Sequence, residues 1–252
     1  MNGIPPQLQK RIDEGYEFNF GEYINRGLNL VQQEIGLFIG FTLLYFVISA
    51  TLGTIPFFGS LVSWLVITPV GTLAFYIAGH KLDKGEKLEF SDFFRGFDKI
   101  GDLVMTALLS GLIVFGSLLP GMILLFTGGI MSFYSFDSDL DSLNIGLLSL
   151  GVLLMVIPAI YFSVAYLWAY PLVWFYDMKP WVAMETSRKL TGKNWLMVFL
   201  FLLVTGLIAA LGIVGLIVGI LFTLPLMYPA QYAAFADVTG LLEEQDETDQ
   251  TD

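Results

Sequence analysis

The sequence predicts an all-α fold: a polytopic transmembrane helical bundle of about six spans, with short cytoplasmic interfacial helices. Three observations predict it. Hydrophobic residues make up 56% of the 252 positions and charged residues only 14%, where a soluble domain carries about half and about a quarter. The charges gather into short blocks separated by long stretches that hold none, and each such stretch needs an apolar solvent. The twelve Lys and Arg residues fall in three segments only.

A helix rises 1.5 Å per residue, so roughly 20 apolar residues cross a hydrocarbon core about 30 Å thick. Six segments meet or approach that length: Ile35 to Gly53, Ile55 to Gly79, Leu103 to Gly129, Ile145 to Phe175, Trp195 to Leu211 and Ile213 to Ala236. Gly53-Thr54-Ile55-Pro56 and Ala210-Leu211-Gly212 join the first and last pairs as tight helical hairpins, because glycine and proline break helices. Unbroken, Trp195 to Ala236 would be about 63 Å long, twice the bilayer core, so it must turn back.

Lys and Arg in short loops bias those loops toward the cytoplasm. Lys10, Arg11 and Arg26 precede the first span; Lys81, Lys84, Lys87, Arg95 and Lys99 follow the second; Lys179, Arg188, Lys189 and Lys193 follow the fourth. Six crossings with an inside N-terminus place these three segments in the cytoplasm, with both termini. The loop from Met131 to Asn144 carries Asp137, Asp139 and Asp141 and no basic residue, as an outside loop should. A rival threading treats both hairpins as re-entrant, but mid-depth turns facing lipid leave backbone groups unsatisfied at several kcal/mol each. Met1 to Phe20 lacks the basic, apolar and small-residue regions of a removable signal peptide.

Each basic segment holds an amphipathic stretch: Phe20, Ile24, Leu28 and Val31; Phe90, Phe93, Phe94 and Phe97 after Ser91-Asp92; Trp181, Met184 and Leu190 after Pro180. Such helices lie in the headgroup plane or pack on the protein's own spans. Sliding the chain by 156 positions aligns Gly36 with Gly192, Gly59 with Gly215, Pro69 with Pro225, Ala74 with Ala230 and Tyr76 with Tyr232. The expected organisation is one transmembrane domain, residues 1–241, with a parallel repeat of 20–80 in 176–236, and a disordered acidic tail, 242–252. Pro69, Pro120, Pro158, Pro171, Pro225 and Pro229 should kink spans. Gly111, Gly116, Gly121, Gly206, Gly215 and Gly219 should permit close helix approach, with Gly215 and Gly219 as a small-xxx-small pair.

Charges inside a span usually mark a pathway, and these spans have essentially none; Glu34, Asp102, Asp177 and Asp237 sit at span ends. Pumps built on buried carboxylates are disfavoured. Thr42, Ser49, Thr68, Thr72, Ser110, Ser117, Ser163, Thr205, Thr223 and Gln231 can line a groove for an uncharged or lipid-like ligand, although most hydroxyls bond their own helix. His80, the single histidine, lacks partners for zinc and reads as an interfacial cap. The Asp137, Asp139, Asp141 stretch fails as a calcium loop, because Ser142 replaces the required glycine and Leu148 the bidentate glutamate. The chain has no cysteine, which removes thiol chemistry and disulfides. No catalytic, cofactor-binding or metal residue is assigned, and no cofactor. The net charge of −11 argues against nucleic acid. Membrane lipids, and a protein partner or second copy, remain as partners.

Gly79-His80-Lys81-Leu82 leads to Phe90-Ser91-Asp92-Phe93-Phe94-Arg95-Gly96-Phe97; further on stand Ala183-Met184-Glu185-Thr186-Ser187-Arg188-Lys189-Leu190, then Gly212-Ile213-Val214-Gly215 and Pro225. With these residues the chain resembles uncharacterised six-span bacterial inner-membrane proteins, those of the YciC-like family and the membrane domain of glycerophosphodiester phosphodiesterases. The resemblance implies a multi-pass protein of the bacterial inner membrane and no catalytic residues, and the phosphodiesterase activity does not carry over because that catalytic domain is not in this sequence. The expected function is a non-enzymatic scaffold, assembly or envelope role; the alternative is a transporter or channel for a small uncharged or lipid-like substrate.

Overall fold

The computed structural model describes residues 3–134, 139–214 and 216–242, and every regular element among them is helical. Helix α1 (Pro6–Glu14) and α2 (Phe20–Gln33) lead into α3 (Ile35–Gly53), a 19-residue apolar rod that coincides with the first expected span. Turning at residues 54–57, the chain returns through α4 (Phe58–Val62), a π-helical turn (Ser63–Ile67) and α5 (Thr68–Asp83), which together form one 26-residue span. The π turn has a cause in sequence. Pro69 offers no N–H to the ladder, and the Thr68 hydroxyl instead donates to the Ser63 carbonyl at 2.9 Å.

A 3-10 helix (Phe90–Lys99) precedes α6 (Ile100–Tyr134), which pairs with α7 (Asp139–Ala165) as a long antiparallel hairpin. Gly121 and Gly151 hold the pair close: a Cβ on Gly121 would lie 2.7 Å from the Gly151 carbonyl oxygen. Short helices α8 (Ala169–Phe175) and α9 (Pro180–Lys193) follow, then the hairpin of α10 (Trp195–Val214) and α11 (Leu216–Thr239). Five described helices are long and apolar enough to cross a membrane: Ile35–Gly53, Phe58–Asp83, Phe90–Ile130, Asn144–Phe175 and Trp195–Gly212. Helix α11, where the sixth span was expected, lies outside that set but packs along α10.

The core is gathered at one end of the bundle. Leu73, Ala74 and Tyr76 of α5, Ala233 and Phe235 of α11, Trp168 beside α8 and Phe93 of the 3-10 helix are fully buried there. Phe41 stacks on Phe93 at 4.5 Å and Phe75 on Tyr228 at 5.0 Å. Toward the other end Leu112, Phe126, Ile145, Ile157 and Leu211 face outward, an apolar surface that only lipid or another apolar partner satisfies. This is a multi-pass membrane protein.

All three basic segments meet at the packed end. Arg26 of α2 forms a forked ion pair with Asp83, and Lys99 donates to Asp177 at 2.5 Å and to the Val173 and Trp174 carbonyls that end α8. Tyr16 donates to the Leu190 carbonyl at 2.9 Å, and Asn194 returns a bond to the Tyr16 carbonyl at 2.7 Å. Tyr23 donates to Asp237 at 2.5 Å, so the first and last described segments share that end.

Several elements depart from expectation. The fourth span is broken between Ala165 and Ala169, two residues before Pro171, and the buried Ser187 hydroxyl fills the gap by donating to the Ala165 carbonyl at 2.8 Å and accepting the Trp168 N–H at 3.1 Å. In the last hairpin α10 runs past Gly212 to Val214, beyond the turn expected at Ala210-Leu211-Gly212. Gly212 works inside the crossing instead, where a Cβ would lie 2.9 Å from the Gly219 oxygen. Gly215 lies outside the described residues, whereas Gly219 lies close to Gly212 across the hairpin. Gly111 is covered by Trp64, whereas Gly116 and Gly206 face open space. Phe90 to Phe97 wind as a 3-10 helix, with Phe93 buried and Phe90 and Phe97 exposed. Helix α2 packs on α11 through Tyr23, Gly27, Leu30 and Val31, a face rotated from the one expected, and Leu28 points out. On α9, Met184 and Leu190 are buried while Trp181 is 60% exposed. Asp139 and Asp141 open α7; Asp137 and residues 243–252 of the acidic tail lie outside the described residues.

Candidate functional site

Most of the hydroxyls singled out in the spans do bond their own helix. Thr42 donates to Phe38, Ser117 to Val114 and Thr205 to Phe201. Thr223 donates to Gly219 within α11 and to Ala209 across the hairpin. Ser110 and Ser163 also bond within their helices, to Ala107 and Ile160, yet both stand on the wall of a sizeable groove in the apolar part of the bundle.

That groove, about 570 Å³, lies between α6, the α7–α8 break and Trp64 of the π turn. Helix α6 contributes Thr106, Ser110, Gly111, Val114, Phe115 and Leu118; the opposite wall is Ala159, Phe162, Ser163, Tyr166, Ala169 and Tyr170. Its shape follows from the backbone. The break at Pro171 and Ser187 redirects α7, and Trp64 lies against Gly111, where a Cβ would fall 2.1 Å from its ring. From Thr106 to Leu118 the wall runs about 18 Å along α6. Its walls are mostly apolar with a few hydroxyls, a pattern suited to a hydrophobic ligand oriented by a few polar contacts. Thr106, Tyr166 and Tyr170 escaped the sequence reading. The first sits one turn from Asp102 at a span end, and the two tyrosines lie at a helix break that no periodicity reveals.

Below the groove, at the packed end, a second cavity of about 360 Å³ is walled by His80, Lys81, Glu86, Arg95, Lys99, Trp174, Phe175 and Ile77. His80 sits in the last turn of α5, as its sequence position indicated, with Nδ1 3.2 Å from the Tyr232 hydroxyl and its ring edge-on to Phe175 at 5.0 Å. Tyr232 in turn donates to Asp83 at 2.9 Å. Lys81 donates to Asp92 at 2.8 Å, and the same carboxylate oxygen accepts the Glu89 N–H at 2.8 Å. Burial alone pushes the Asp92 carboxyl up, but Lys81, the Glu89 N–H and nearby Arg95 together hold it below its ordinary value. The Lys99 hydrogen bond likewise lowers Asp177. Arg95 forms no salt bridge among the described residues; its guanidinium lies 6.0 Å from the centre of the Trp174 ring, and Lys99 lies 5.8 Å from it.

Among the described residues no group of three or more His, Asp or Glu side chains is placed to hold a metal ion. Comparison of the chain with family models, with curated proteins and with solved structures finds no match.

Proposed function

We propose that this multi-pass protein holds a lipid-like molecule in the groove between α6 and the α7–α8 break, without catalysing a reaction on it. The groove carries the reading. Its length of about 18 Å is close to the thickness of one leaflet, about 15 Å, so an acyl chain entering from the bilayer fits along it. Trp64 and Phe115 of its lining are themselves exposed apolar side chains, so a ligand reaches it from the lipid-facing surface. Ser163 and Tyr166 at the wall supply hydroxyls to an ester or alcohol without charge. This is the lipid-handling form of a transporter. The basic segments, joined at one end, support a cytoplasmic side for that end and for both termini under the positive-inside rule. The resemblance stated above points to a bacterial inner membrane.

The scaffold reading retains one specific support. In the spans holding α6 and α7 only 6% of the most apolar window is buried, so the long hairpin is free to pack on a second copy or another membrane protein. One experiment separates the two. The full chain is purified in mild detergent and analysed by native mass spectrometry with diacylglycerol as probe. Retention of one diacylglycerol per chain, reduced about tenfold by Ser163→Phe, which fills the groove from an exposed position, is the expected result. Equal retention by the variant overturns the lipid reading, and a stoichiometric protein partner with no retained lipid establishes the scaffold.

A further inference from the structure

We infer that the cavity at the packed end, walled by Arg95, Lys99 and Trp174, is a phosphate site that takes the headgroup of an amphiphile whose chains lie in the groove. The two cavities share walls. Lys99 immediately precedes α6, and Thr106, where the groove begins, follows seven residues later, about 10 Å along the axis. On α8, Trp174 of the lower cavity and Tyr170 of the groove are four apart and lie on one face. A headgroup layer extends about 5–8 Å beyond the hydrocarbon on each side of a bilayer. The cations therefore stand about where the phosphate of a molecule seated in the groove would fall.

Charge points to the same occupant. Lys81 is matched by Asp92, Lys99 by Asp177, and Glu86, also in the wall, lies 3.6 Å from Lys84. Arg95 is left without a salt bridge among the described residues, exposed at the mouth and steered by the Trp174 face. Asp92, whose carboxyl feels the Arg95 charge, is already engaged by Lys81, and a guanidinium outside any described salt bridge presents a planar fork of donors suited to two phosphate oxygens at once. Basic pockets between membrane helices bind acidic headgroups in this way. The same chemistry serves a free phosphate, so the test separates the sources.

This inference rests on the groove reading for the chains but not for the phosphate. The full chain in mild detergent is offered phosphatidic acid, diacylglycerol and inorganic phosphate separately, and binding is compared between wild type and Arg95→Gln, a surface change that leaves the core intact. The expected result is phosphatidic acid bound about tenfold more tightly than diacylglycerol, that preference lost in Arg95→Gln and partly kept in Arg95→Lys, and diacylglycerol binding unchanged. Inorganic phosphate that binds wild type but not Arg95→Gln, with no preference for phosphatidic acid, supports the site with a free anion as its source. Equal binding of every probe by wild type and Arg95→Gln overturns the site. Failure of the groove alone shows instead as diacylglycerol that never binds, with the Arg95 dependence of phosphate intact.

Discussion

At the scale of single residues, two tyrosines 156 positions apart, Tyr76 and Tyr232, pack edge to face at 6.2 Å in the same core and do different work. Both are fully buried. The Tyr232 hydroxyl joins His80 to Asp83, whereas the Tyr76 hydroxyl has no partner among the described residues. A buried hydroxyl without a partner costs about 1–3 kcal/mol, and removing a bonded one from between its partners costs a similar amount. Tyr76→Phe should therefore hold or raise the thermal unfolding midpoint in detergent, while Tyr232→Phe lowers it; a lower midpoint for Tyr76→Phe would refute the assignment. Sequence spacing aligned this pair, yet nothing in spacing tells which hydroxyl is bonded. Similarly, Tyr23 and Gly27 belong to the buried face of α2, which a periodicity of aliphatic and phenyl side chains does not reveal. Gly27 is used for its missing side chain: a Cβ there would lie 2.5 Å from the Ala230 nitrogen.

At the scale of elements, legibility tracks the length of an uninterrupted apolar run. Ile35–Gly53 is read to the residue because its composition alone demands a helix in lipid. The groove was not legible, since its walls come from three stretches about 50 positions apart and from a helix break held by a distant serine, Ser187. The 3-10 helix lies between these extremes. Its phenylalanines were visible, but not the Asp92 carboxylate that fastens its start to Lys81 of α5. That fastening predicts a pH dependence. The Asp92 carboxyl is held below its ordinary value in the native state, so the unfolded chain binds the proton more readily. The stability it contributes is present above the ordinary carboxylate range and is lost as pH falls through that range, below about pH 4. Thermal melts across acid pH should show this loss, and Asp92→Asn should flatten that part of the profile. A profile identical to wild type would show that the ion pair carries no such stability.

At the scale of the whole molecule, the three basic segments are tied together by side-chain contacts, and this agrees with the grouping of cations along the sequence. The chain has no cysteine, so single substitutions report cleanly on sidedness. Lys84→Cys should react with an impermeant thiol reagent from the cytoplasmic side only, and Asp139→Cys, at the start of α7, from the opposite side only. Labelling of both from one side would sink the proposed threading. Packing is uneven on the same axis, dense where the cations lie and open where the helices meet lipid.

The strap that α1 and residues 15–19 lay across the base has a bearing on biogenesis. Its anchors, the Leu190 carbonyl and the Asn194 amide, are separated from Tyr16 by most of the polypeptide. The ribosome delivers Tyr16 early, and its mates emerge only after four spans have been handed to the insertion machinery. Closing so long a loop carries an entropic penalty that grows slowly with length. Fastening is therefore a late event in synthesis, a clasp that shuts only after Leu190 and Asn194 have arrived.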